Sequence, residues 1–181
     1  RHFPPKCQLA DALGSKMEIE RPIFTVGGGA ANAAVTFARQ GFKTAALIRL
    51  GDDEQGDSIV NSLKSEKIAV FEPRDKKNGT AYGTILLTPG GERTILVYRG
   101  ASGNLERKEV PWSKLKCGWA YIAPGGIDLS VMASIIERLK KNGAMIAMNP
   151  SKQYLEMGLN KLRSLFRSIN VVTMNREEAS Y

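Results

Sequence analysis

Short apolar runs that alternate with stretches of helical spacing constrain this 181-residue chain more than any other feature. TAALIRL (residues 44–50) reads as a buried strand running into Gly51. DEQGDSIVNSLKSEK then sets Ile59, Val60 and Leu63 on one helical face ahead of a strand AVFE, Ala69 to Glu72. The rhythm returns with a strand CGWAYIA (117–123), a helix from Asp128 to Lys141 closed by Gly143, and a strand AMIAM (144–148). A helix around Gln153 to Phe166 and a strand NVVTM (170–174) complete it. Strands that alternate with helices predict an α/β fold of three layers, with a mostly parallel central sheet whose ligands bind outside the carboxyl ends of its strands.

The middle of the chain departs from that rhythm. TAYGTILLT (80–88) and ERTILVYR (92–99) flank PGG, the mark of a β-hairpin. Joined by MEIERPIF (17–24), the hairpin is expected to form a small separate sheet, a lid over one edge of the core. The division predicted is residues 25–79 and 100–181 for the core and residues 15–24 and 80–99 for the lid.

Composition narrows the function. A hydrophobic content of 43% and a charged content of 24% suit a soluble globular protein. No apolar run approaches the roughly 18–20 residues of a membrane helix, and RHFPPKCQLAD lacks a signal-peptide centre, so a cytoplasmic protein is expected. His2 is the sole histidine, which rules out a Ser-His-Asp triad, a Cys-His dyad or a histidine-ligated zinc site; Cys7 and Cys117 form no CxxC pair. The net charge of +8 is spread along the chain rather than gathered with aromatics, so no nucleic-acid partner is expected, although a phosphate-bearing ligand suits it. The chain does not start with Met and stops at NREEASY, which reads as the first turns of a helix. A piece of a longer protein is the expectation.

VGGGAAN (26–32) raises the sharpest question. As a dinucleotide fingerprint GxGxxG it fails at its sixth position, Asn32, although Asp52 and Asp53 stand roughly 20 residues on, as that motif asks. A P-loop fails because no Gly-Lys-Ser/Thr follows. The glycines and alanines could also serve only to let a helix lie close to a sheet, with Asn32 bonded to a neighbouring loop. The spacing of the wider region says more. Gly27, Gly28, Ala30, Asn32, Ala34, Gly41 and Gly51 together resemble the first signature of the ribokinase, or PfkB carbohydrate kinase, family. The resemblance continues through GDDEQG, the hairpin start TAYG, YRGAS at 98–102, Asn149-Pro150 and NREE at 175–178.

That resemblance implies a ribokinase-like three-layer sandwich with a β-sheet lid, and ATP-dependent phosphorylation of a primary or anomeric sugar hydroxyl. It implies that the backbone at Gly27 and Gly28 comes against a sugar ring and that the Asn32 amide bonds its hydroxyls; Tyr82, Tyr98 and Arg99 are the candidate contacts from the lid, with a structural role in the lid as the alternative for each. Asn175 and Glu178 match the family's NxxE motif, which orders Mg²⁺, its waters and the ATP phosphates; Asn149 joins them on the nucleotide side, and Glu178 meets Mg²⁺ through water. A capping box at a helix start accounts for the same Asn and Glu. A monovalent cation such as K⁺ and a homodimer through the lid sheet are further implications.

Parts of the family pattern are missing. The Gly-Ala-Gly-Asp motif that carries the catalytic base does not occur, so the base is expected outside this chain and the fragment alone is expected to be nearly inert. The sugar-binding aspartate of the family's first strand should lie well before the glycines, and the sequence does not establish Asp11 as its counterpart. Pro124-Gly125-Gly126 stands where ribokinase places an acidic sugar contact, and Gly29 where it places lysine. A different sugar, or a nucleoside, fits those departures. An adenosine-type nucleoside kinase, an NAD-binding domain and a non-catalytic sugar-binding module are the alternatives.

Overall fold

A computed structural model describes residues 21–87 and 93–180. The readings at His2, Cys7 and Asp11, the segment 15–20 and the turn 89–91 lie outside the described residues.

The first half builds parallel strands under two helices. In α1 (Gly29–Arg39), Ala31 and Ala34 fall one turn apart and are buried, and small side chains let the helix axis approach β1 (Ala45–Leu47). The single strand expected over 44–50 is divided, because β2 (Leu50–Gly51) is separate. The cause lies on the partner strand. β1 pairs with β3 (Ala69–Phe71) and β2 with β4 (Arg74–Asp75), both parallel and in one register, Ala45 opposite Ala69 and Leu50 opposite Arg74. Between them stands Pro73, whose carbonyl accepts the Leu50 N–H at 3.1 Å but which has no N–H to return. In α2 (Glu54–Ser65), Val60 and Leu63 are buried and Ile59 is half-buried, the face that the spacing predicts.

The second half holds the larger core. Strands β7 (Trp119–Ile122), β8 (Met145–Met148) and β9 (Val171–Val172) form a parallel sheet in that order. Helix α3 (Leu129–Lys141) buries Met132, Ile135, Ile136 and Leu139, an i, i+3, i+4, i+7 stripe. Asp128 caps it by accepting the Ser130 N–H at 2.8 Å, and Arg138, Lys140 and Lys141 occupy its last turn, where cations suit the helix dipole. Ile146, Met148 and Tyr154 are fully buried at the centre of this core. Burial of each apolar side chain of that size is worth about 1.5–3 kcal/mol. The Tyr154 hydroxyl donates to the Ile127 carbonyl at 2.6 Å, so it goes into the core with its polar end satisfied.

The helix expected around 153–166 is in fact two, α4 (Lys152–Leu155) and α5 (Leu159–Phe166). Gly158, at φ 82°, turns the chain between them through a conformation that other residues resist. Strands β5 (Tyr82–Leu87) and β6 (Arg93–Tyr98) form the antiparallel hairpin, with Tyr82 opposite Tyr98. The described part of its expected companion, residues 21–24, is exposed and joins no strand.

Candidate functional site

The glycine triplet divides into two jobs. Gly28 is the N-cap of α1 at φ 95°, and no side chain caps the helix. A Cβ added to Gly29 would lie 2.8 Å from the Ala123 Cβ just beyond β7, so this third glycine lets α1 approach the carboxyl end of that strand. Gly27 and Gly28 would meet nothing within 4 Å. Their missing side chains therefore leave accessible space instead of relieving a packing clash. One turn on, Asn32 is exposed; its N–H donates to the Gly28 carbonyl at 2.9 Å. Its side-chain amide has no hydrogen-bond partner among the described residues.

The loops after β7 and β8 meet beside this region. Ser151 donates its hydroxyl to the Gly125 carbonyl at 2.6 Å. A Cβ on Gly126 would lie 2.9 Å from Gln153 Oε1 and 3.5 Å from the Gly103 Cα, so the returning leg of the hairpin converges there too. Gln153 and Gly103 were not singled out by the sequence reading. The usable signal was position, since Gln153 falls within a few residues of a strand's carboxyl end, where open α/β sheets bind ligands.

Further along the same rim, Asn149 follows β8 and donates its side-chain N–H to the Thr173 carbonyl at 2.7 Å and to Glu178 Oε2 at 3.4 Å. Glu178 Oε2 also accepts the Asn175 N–H at 2.9 Å, and Asn175 Oδ1 accepts the Glu178 N–H at 2.8 Å. This is a reciprocal capping box. Both bonds to the carboxylate fall on Oε2, and Oε1 has no partner among the described residues. No group of three metal-ligating side chains occurs among the described residues. That donor set suits Mg²⁺, which keeps several waters and is commonly held by one carboxylate together with substrate phosphates.

A sequence model of the pfkB family carbohydrate kinases matches residues 6–181. The chain belongs to the PfkB family. A 5-dehydro-2-deoxygluconokinase from Clostridium tetani is 32% identical over 149 residues, covering 76% of this chain and 42% of the relative. Among solved structures, a ribokinase from Thermotoga maritima superposes with a TM-score of 0.75 at 18% identity, covering 92% of this chain and 53% of that one. A fructokinase with bound ATP from Xylella fastidiosa gives 0.73 at 21% identity, covering 92% and 57%. These likenesses show a ribokinase-like α/β fold. The chain spans about half the length of the relatives it matches. Among the described residues no helix is long and apolar enough to cross a membrane.

Membership in the PfkB family leaves the acids after Gly51 to be explained without a dinucleotide. The Asp53 carboxylate is engaged through both oxygens within the chain: Oδ1 accepts the Gly56 N–H at 2.8 Å and the Thr80 hydroxyl at 2.5 Å, and Oδ2 accepts the Thr80 N–H at 2.7 Å. The Thr80 hydroxyl above all, against the opposing effect of burial, holds its pKa below the ordinary value. Both oxygens of this acid are thus committed within its own chain, to the helix cap and to Thr80. In this PfkB-family chain no hydrogen bond or ion pair joins the lid candidates Tyr82 and Arg99 to Asn32 or Glu178 among the described residues. Arg99 lies just past β6 as the N-cap of a short 3-10 turn, and its carbonyl accepts the Ser102 hydroxyl at 2.7 Å. Tyr82 is exposed near the hairpin root.

Proposed function

We propose that this protein transfers the γ-phosphoryl group of ATP to a sugar hydroxyl, and that this chain supplies the sugar site and the NxxE motif. The observation that carries the reading is the Asn32 amide, which bonds to no other side chain or backbone group among the described residues, beside two glycines, Gly27 and Gly28, whose side-chain positions open onto free space. An amide offers a donor and an acceptor to neighbouring hydroxyls, and glycine backbone admits a ring to close range. When bound, Mg²⁺·ATP supplies the phosphoryl group and the charge that its transfer requires. The chain's own part there is to present Glu178 Oε1 from a turn that Asn149 and Asn175 hold in place, with Mg²⁺ reached through water. In this reading residues 25–79 and 100–181 are the core and the hairpin within 80–99 is the lid, without the expected strand at 21–24, and Tyr82 and Arg99 approach the sugar only as the lid closes. The base that accepts the hydroxyl proton comes from outside these 181 residues. We assign the protein to the cytoplasm, where ATP is abundant.

The test is phosphoryl transfer by the complete gene product, with ATP and Mg²⁺, across a panel of ketoses, aldoses, sugar acids and nucleosides. Preferred transfer to a sugar supports the reading, and preferred transfer to a nucleoside overturns it. Asn32→Ala is expected to weaken sugar binding by about 1–3 kcal/mol, the cost of leaving buried hydroxyls unmatched. Calorimetry checks this, and unchanged affinity in a folded variant removes Asn32 from the sugar site.

The hairpin also supports a homodimer. Ile85, Leu87, Ile95, Leu96 and Val97 are all exposed, more apolar surface than an isolated two-stranded ribbon keeps in water without cover. Leu87 is 72% exposed and Ile85 55%, so a charge at either position can be introduced without disturbing the core. Sedimentation is expected to show a dimer that Ile85→Lys converts to monomer. A wild-type monomer at high micromolar concentration rules the dimer out.

A further inference from the structure

The hairpin is exposed along both strands, and its strands pair chiefly with each other, so its direction in space is set where its two legs leave the core. Those legs are residues 79–80 and 100–101. They are tied together by the Ala101 N–H, which donates to the Gly79 carbonyl at 2.9 Å. Each leg is also tied to the core. On the entering leg, Thr80 is buried; its N–H and hydroxyl both donate to Asp53, and its hydroxyl oxygen accepts the Gly51 N–H at 3.0 Å. On the returning leg, Arg49 Nη1 donates to the Ala101 carbonyl at 3.1 Å. Packing at this root is tight: a Cβ on Gly51 would lie 2.4 Å from the Thr80 nitrogen, and one on Gly100 only 2.1 Å from the Gly79 carbonyl oxygen.

Asp53 does more here than cap α2. A serine, threonine or asparagine caps a helix about as well, with a single oxygen on the first-turn N–H groups. Only a carboxylate can cap through one oxygen, accept the Thr80 N–H on the other and still receive the Thr80 hydroxyl. We propose that Asp53 is a positioning residue: through Thr80 it latches the hairpin at its root and so fixes the pose from which the hairpin reaches the sugar site, while Arg49 holds the second leg. The latch itself stands on the bonds above; its effect on sugar binding rests on reading the hairpin as a lid.

The experiment compares wild type with Asp53→Asn, Thr80→Val and Thr80→Ser. Asparagine retains an oxygen to cap α2 but sets an N–H₂ group against the N–H or hydroxyl of Thr80. Valine removes the hydroxyl and leaves the cap intact, and serine restores the hydroxyl. Hydrogen exchange on the complete gene product is expected to accelerate about tenfold or more at Thr80, Ala101 and the β5 and β6 amides in Asp53→Asn and Thr80→Val, with α3 and β8 unchanged and Thr80→Ser close to wild type. Should Asp53→Asn fail to fold, Thr80→Val gives the same reading with the cap preserved. Unchanged hairpin exchange in Thr80→Val overturns the latch, as does an acceleration spread equally over α3 and β8. In the complete gene product the same two variants are expected to raise KM for the sugar about tenfold while KM for ATP and kcat stay near wild type, a split that simple loss of stability does not produce. Faster hairpin exchange with an unchanged sugar KM supports the latch and removes the lid reading instead.

Discussion

Arg49→Met is expected to destabilise the fold by about 3–5 kcal/mol, because it removes the guanidinium from a buried cluster and leaves Asp75 and Glu109 facing each other with only neutral hydrogen-bond donors among the described residues. The Arg49 side chain is only 8% exposed and donates through Nε to both oxygens of Glu109, at 2.9 and 3.1 Å, and through Nη1 to Asp75 at 2.7 Å. Burial opposes its charge, but the hydrogen bonds from Glu109 and Asp75 outweigh that and raise its pKa. Asp75 is held well below the usual carboxylate range, first by the Asn78 amide, then by the Lys77 N–H and by Arg49, so it remains anionic when the guanidinium is gone. Methionine fills much of the same volume, so lost packing is a minor part of the effect. Urea unfolding of the 181-residue chain measures it. The triple variant Arg49→Met, Asp75→Asn, Glu109→Gln is expected to recover more than half of the loss. A loss below about 1 kcal/mol in the single variant would show that water screens the cluster as it does a surface pair.

Glu178→Gln is expected to lower kcat of the complete gene product about 100-fold, or roughly 2.7 kcal/mol of transition-state stabilisation, with KM for the sugar unchanged. The substitution separates the two readings of this residue. Glutamine retains a carbonyl oxygen that can accept the Asn175 N–H, so the capping box survives at a cost of about 1 kcal/mol or less. What disappears is the negative charge on the oxygen that the cap leaves unused. If melting temperature falls while turnover at saturating Mg²⁺ stays wild type, Glu178 caps a turn and does nothing further.

Both readings of Asn175 and Glu178 were legible in the chain because a capping box is a local pattern, two residues three apart. The same holds for the stripe Met132, Ile135, Ile136 and Leu139, for the hairpin flanking residues 89–91, and for the family signature running from Gly27 to Gly51. Periodicity and turn chemistry act over a few residues, so the sequence by itself determined the alternating order of helices and strands around a hairpin, and that the strands pair mostly in parallel.

What it left open depended on residues far apart in the chain. The strand over 44–50 is cut by Pro73, a residue on its partner, because a proline takes its missing donor from whichever strand lies beside it. Gly29 differs in role from Gly27 and Gly28 only because Ala123 lies against it. Asp53, spaced to suit a dinucleotide ribose, is instead committed to Thr80, and Gln153 and Gly103 gain a place at the rim by meeting at Gly126. Close approach and hydrogen-bond commitment are properties of pairs brought together by packing. Tertiary structure alone decided them, and with them which polar groups of this chain remain free to meet a ligand.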